Sequence, residues 1–271
     1  MNFQIEFTNH CNLRCIECPH RMMQRPRQNM TPRVFKTILE DYIVPFELGT
    51  VICHKDGEPL LHPNLYYFIG EIDDKIKTKL DIYTNGLLLE PDFVKKLGVF
   101  RSKFWILVSF HFFDDEGRFV KKYEEAEKNI IACIQNAPAN VDFIFASHVT
   151  DYAEKQTLEM WKRMWEEREL PRLTAVHVNE AINPWLGLIK QKNAIVFHDC
   201  PYTDGEHMFF GVTGNLIACC MDLEEGIVFG NVMVDDKDEI LNKRSEFYQS
   251  LRDGEVKRGV CKKCLGGRNL L

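Results

Sequence analysis

Six short runs crowded with Val, Ile and Phe, each separated from the next by a helical stretch, constrain this chain more than any other feature. They span residues 3–7, 50–54, 80–84, 104–110, 141–147 and 173–178. Runs that stay apolar at successive positions suit strands buried on both faces, the condition of a parallel sheet. The intervening stretches carry helix signals. Thr31 stands as an N-cap before Pro32 at the head of 32–42, and helical spacing continues through 65–75, 91–97, 119–135 and 152–169.

Six such βα units with no Gly-rich dinucleotide fingerprint predict an α/β fold, a partial (β/α)6 TIM-like barrel open on one side, over residues 1–180. Beyond residue 180 the rhythm changes. A loop through Asn183, Pro184 and Trp185 leads to a β-hairpin, 208–212 with 216–220, turning at Thr213-Gly214-Asn215. A helix over 238–251 follows, and together these form a small C-terminal extension, residues 181–271. The net charge of −6 removes the electrostatic basis for wholesale nucleic-acid binding. No apolar run approaches the roughly 20 residues that span a bilayer, and the opening MNFQIEFTNH lacks the regions of a signal peptide. A cytoplasmic location and no membrane partner are expected.

In a reducing compartment the ten cysteines are candidates for metal ligation or catalysis before disulfides. Cys11, Cys15 and Cys18 fall within eight residues directly after the first strand, at the barrel end where active-site loops gather. A closed zinc site normally takes four protein ligands, and no fourth Cys or His completes this set at short spacing, although His10 and His20 lie close. An iron-sulfur cube on three thiolates leaves one iron open. The pattern C-x3-C-x2-C resembles the defining motif of the radical SAM superfamily. That resemblance implies a [4Fe-4S] cluster whose open iron binds S-adenosylmethionine (SAM) and splits it to a 5′-deoxyadenosyl radical. It also implies an electron donor such as flavodoxin or ferredoxin. Glu17 departs from the aromatic or apolar residue that the family usually carries before the third cysteine, near the adenine.

His54-Lys55-Asp56-Gly57-Glu58-Pro59 at the end of strand two resembles the family's GGEP segment, with Asp56 replacing the first glycine. The resemblance implies SAM contacts at Gly57, Glu58 and Pro59, at Thr84 and Asn85 after strand three, and at Ser109 after strand four. His54 and Cys53 are the candidate catalytic residues, as proton shuttle and hydrogen donor; His148 holds a position like that of His54. Arg21, Arg25 and Arg27 are read as a solvated basic patch. The aromatics of Met160-Trp161 and Met164-Trp165, at helical spacing, are read as packing against the sheet.

Cys200, then Cys219-Cys220 on the hairpin, then Cys261-Lys-Lys-Cys264 supply four thiolates for zinc or a second cluster. Neighbouring strand residues face opposite ways, so one of Cys219 and Cys220 is the ligand. This order resembles the SPASM/twitch extension of radical SAM enzymes, which implies an auxiliary [4Fe-4S] cluster on Cys200, Cys219, Cys261 and Cys264. The expected chemistry is an oxidoreductase's: hydrogen abstraction from a substrate carbon, with the auxiliary cluster accepting an electron. The net result is two-electron oxidation of a small molecule such as an amino sugar or aminocyclitol, as in a twitch-type dehydrogenase. Two rivals remain, crosslinking or epimerisation of a ribosomal peptide, and a non-catalytic zinc-binding module.

Overall fold

Each of the six apolar runs forms a strand: β1 (Asn2–Ile5), β2 (Thr50–Ile52), β3 (Lys79–Thr84), β4 (Lys103–Phe110), β5 (Val141–His148) and β6 (Leu173–Asn179). They lie in chain order and parallel, as right-handed βα crossovers require. The crossovers carry α1 (Pro32–Thr37), α2 (Leu65–Lys75), α3 (Pro91–Lys96), α4 (Lys122–Gln135) and α5 (Lys155–Glu166). This computed structural model describes residues 1–46, 49–181, 185, 188–189, 199–255 and 259–265. The expected loop at Asn183-Pro184 lies outside them.

Alternation along β4 shows how the layers form. Phe104, Ile106, Val108 and Phe110 are at most 3% exposed and join Ile130 and Ile134 of α4 in one core. Trp105, Leu107 and Ser109 take the opposite face. Trp161 and Trp165 of α5 pack on Phe110, with centroids 5.2 and 6.1 Å away. Met160 and Met164 do not pack on the sheet: one position earlier on the helix turns them about 100° away, and they are 65% and 41% exposed.

Two helices start later than their patterns suggest. The Thr150 hydroxyl accepts the N–H groups of Tyr152 and Ala153, holding them in a turn, so α5 begins at Lys155. Phe119 pairs with Phe113 across an isolated bridge, and α4 waits until Lys122.

The hairpin forms, but its second strand stops at Ile217, so Cys219 and Cys220 lie in the loop beyond it and not on the strand, and the hairpin does not stand apart. Strand β7 (His207–Phe210) docks parallel on the free edge of β1, from Asn2 opposite His207 to Ile5 opposite Phe210. β8 (Asn215–Ile217) and a third strand, β9 (Val228–Asn231), continue antiparallel, giving one nine-stranded sheet in the order β6-β5-β4-β3-β2-β1-β7-β8-β9. Gly214 turns the hairpin at φ +89°, a conformation glycine adopts without strain. Helix α6 (Lys237–Arg252) packs on β9, and α7 (Gly259–Leu265) carries Cys261 and Cys264. No helix of the described residues is long and apolar enough to cross a membrane.

Candidate active site

The C-terminal ends of β1 to β5 surround a cavity of about 220 Å³. Cys11, Cys15 and Cys18 line it from the loop after β1, with His54, Gly57 and Glu58 after β2, Tyr83, Thr84 and Asn85 at β3, Ser109 and His111 at β4, and His148 at β5.

The cysteine loop is held from both sides. The Asn9 side chain donates to the Pro26 carbonyl (2.9 Å) and accepts the Gln28 N–H (2.6 Å), while His20 is bonded to the Asn9 carbonyl (2.9 Å). Arg14 pairs with Asp115 at 2.9 Å, beside a bridge between Cys15 and Asp114. Burial pushes the Cys18 thiol up to about 12 and raises Cys11 and Cys15 as well, and neighbouring negative charge adds to each shift. Three desolvated thiols that oppose one another's ionisation suit a cationic metal centre, which stabilises all three thiolates at once. The donor set fits an iron-sulfur cluster.

Glu58 ties this loop to β3. Its carboxylate accepts from the Thr84 hydroxyl (2.8 Å), the Asn85 N–H (2.7 Å) and the Leu60 N–H (3.0 Å). The Asn85 side chain donates on to Asn12, inside the cysteine motif, at 2.8 Å. Pro59 is buried at the head of a 3-10 turn and does not line the cavity. Gly57 is required by close approach: a Cβ there would lie 2.2 Å from the Thr8 carbonyl oxygen and 2.7 Å from that of His10. Gly57→Ala is therefore expected to lose about 1–3 kcal/mol in thermal or denaturant unfolding and to lower iron retention, because the displaced backbone carries the cysteine loop with it.

His54 lies against Tyr83, ring centroids 5.8 Å apart, and burial pushes its pKa down to about 4. Cys53 faces the other way: it is 0% exposed, belongs to the hydrophobic core and is absent from the cavity wall. Strand alternation is the physical reason, since Cys53 shares the helix-facing side of β2 with Val51.

Two arrangements were not evident in the sequence. Arg25 is no part of a solvated patch. Its side chain, 11% exposed, pairs with Glu6 (2.9 Å), Asp56 (2.8 Å) and Glu225 (2.7 Å). Asp56 also bonds Lys55, whose ammonium reaches the Asp222 carbonyl at 3.1 Å. The aspartate replacing a glycine thus anchors a network from β1 to the hairpin. The second arrangement is Glu17 with His111 and His148. Glu17 is 7% exposed and accepts from His111 at 2.7 Å. Burial, with the charge of His111, pushes His148 down to about 4.

The C-terminal thiols gather on the hairpin side. Burial raises Cys219, with Cys220 and Cys261 adding; Cys261 and Cys264 are raised likewise, with Cys200 close to both. Cys220 hydrogen-bonds the Tyr202 hydroxyl at 3.2 Å.

A family model described as the radical SAM superfamily matches residues 5–161, more than half of the chain. The chain belongs to the radical SAM superfamily. A second model, an iron-sulfur cluster-binding domain named SPASM, matches residues 200–265. This radical SAM enzyme accordingly uses a SAM-binding [4Fe-4S] cluster and an auxiliary cluster, which sets the non-catalytic zinc module aside.

Among relatives, the S-adenosyl-L-methionine-dependent 2-deoxy-scyllo-inosamine dehydrogenase of Niallia circulans is 34% identical over 85 residues, 31% of this chain and 34% of that protein. The match thus spans about a third of the curated relative's length. The fold is similar to that of BtrN in complex with AdoMet and 2-DOIA, with TM-score 0.62 and 20% identity over 97% of this chain and 91% of that one. It is also similar to that of anSMEcpe with bound AdoMet and Cp18Cys peptide, with TM-score 0.65 and 15% identity over 98% and 88%.

Proposed function

We propose that this radical SAM enzyme oxidises an alcohol carbon of an aminocyclitol or amino sugar by two electrons, residues 1–180 forming the SAM-cleaving half and 181–271 the auxiliary-cluster half. One observation supports this above the rest: the two thiol groups approach the same cavity. Lys55 and Asp56, which line it beside the cysteine triad, are also the charged neighbours of Cys220, and Cys220 bears on the cavity residue Tyr83.

Cys11, Cys15 and Cys18 would hold the first cluster, and Cys200, Cys219, Cys261 and Cys264 the second, with Cys220 left to Tyr202. When bound, SAM and the clusters supply a radical that removes a hydrogen atom and a sink for the electron the substrate then gives up. The chain's own residues do the rest. Gly57 and Glu58 present their backbone to the SAM ammonium, held there by the Glu58 bonds to Thr84 and Asn85, with Pro59 behind them as the start of the turn, and Ser109 offers a hydroxyl from β4. His54, uncharged at neutral pH because burial lowers its pKa, is free to take the proton that the alcohol gives up, becoming an imidazolium until it passes that proton on. A flavodoxin or ferredoxin would deliver electrons. The partial sequence match to a 2-deoxy-scyllo-inosamine dehydrogenase supports an aminocyclitol as the first candidate.

The test is anaerobic incubation with SAM, dithionite and 2-deoxy-scyllo-inosamine or related aminocyclitols and amino sugars. One ketone should form for each 5′-deoxyadenosine released. Release of 5′-deoxyadenosine with no ketone from any of them would refute the reading and turn attention to peptides. A variant separates the two halves: Cys264→Ala is expected to keep SAM cleavage and lose at least nine-tenths of ketone formation, measured by product chromatography.

A further inference from the structure

Glu17, His111 and His148 converge in the cavity, and the cluster and SAM contacts proposed above do not use them. One carboxylate or ring-nitrogen atom from each lies within 4.8 Å of the others. Glu17 Oε1 accepts from His111 Nδ1 at 2.7 Å, and the His111 backbone N–H donates to the Tyr123 hydroxyl at 3.0 Å, so carboxylate and imidazole are fixed in place. The His148 ring lies parallel to that of His111, centroids 6.2 Å apart.

What the cluster lacks is a ligand. Glu17 Oε2 and His148 Nδ1 are buried and, among the described residues, have no hydrogen-bond partner. Native structures rarely leave buried polar atoms unmet unless a bound group meets them. The side-chain nitrogen of Asn179 faces His148 Nε2 at 3.3 Å. With that amide as donor, Nε2 accepts and the neutral ring carries its proton on Nδ1. The cavity thus presents a free donor and a free acceptor in one cluster. A hydroxyl group satisfies both, accepting from Nδ1–H and donating to the carboxylate.

We propose that Glu17 and His148, with His111 bracing Glu17, bind one hydroxyl group of a polyhydroxylated substrate and thereby select which of its carbons faces the reacting centre. This rests on the proposed aminocyclitol or amino sugar class. A metal ion would also accept the three side chains, but it cannot use the Nδ1–H donor, whereas a hydroxyl uses donor and acceptor together.

The test is calorimetric titration of cluster-loaded protein, with SAM present, using 2-deoxy-scyllo-inosamine as the probe. Glu17→Gln and His148→Phe should each raise its dissociation constant at least tenfold, with SAM affinity within twofold of the parent protein. Deoxy analogues of the probe give a second arm that needs only the parent protein: removal of one particular hydroxyl should cost about tenfold in affinity, and His148→Phe should no longer discriminate. Variants that bind the probe like the parent, or equal affinity for every deoxy analogue, would overturn the proposal, as would parallel loss of SAM affinity. If the parent protein binds no aminocyclitol or amino sugar, the functional reading fails first and this proposal with it.

Discussion

Cys15→Ala protein, purified without oxygen, is expected to hold about four irons where the parent holds about eight and to release no 5′-deoxyadenosine from SAM. Cys15 is the most buried residue of the triad, 7% exposed, and stands in the middle of the loop between Cys11 and Cys18. A two-thiolate remnant cannot retain a four-iron cube, while the C-terminal thiols lie on other elements and keep theirs. Iron analysis, the charge-transfer absorption and product chromatography read the three consequences separately. Loss of half the iron with SAM cleavage intact would contradict the assignment of the triad.

Arg25→Met should destabilise the fold by about 3–5 kcal/mol, the usual cost of removing one partner from a buried ion network. Glu6, Asp56 and Glu225 have side chains at most 7% exposed, so the substitution leaves three desolvated carboxylates facing one another and Lys55. The damage also reaches function, because Arg25 donates to the Leu223 carbonyl at 2.6 Å and so fastens the segment after the cysteine triad to the C-terminal region. Denaturant unfolding gives the magnitude. Adding Glu6→Gln should recover part of it, since one fewer charge is then buried without a partner; no recovery would mean that lost packing dominates.

The strands and helices were legible because their signals are local. Leu65–Lys75 begins after the His62-Pro63-Asn64 turn and keeps its sequence-read bounds, and the hairpin turn sits on Gly214 as expected. What escaped depends on partners distant in sequence. Arg25 looks solvated beside Arg21 and Arg27, while its carboxylates lie 19, 31 and 200 residues away. Glu17 and His111 are 94 residues apart, and only the departure at Glu17 from the family's apolar position hinted at a different use. Cys53 shows the reverse case. The two-residue period of a strand already puts it with Val51 on the helix side and His54 toward the cavity, a signal that was available in the sequence. Strand β9 is four residues long and carries Gly230, so it offered little strand pattern beforehand.

The central claim is that an iron held by Cys11, Cys15 and Cys18 has a coordination position free of protein side chains, which SAM fills. Electron–nuclear double resonance on the reduced Cys264→Ala protein, given SAM labelled with 15N at the amino group and 17O at the carboxylate, tests it directly. Hyperfine coupling of both labels to the cluster is the expected result. A reduced cluster with SAM bound and neither coupling present would contradict it.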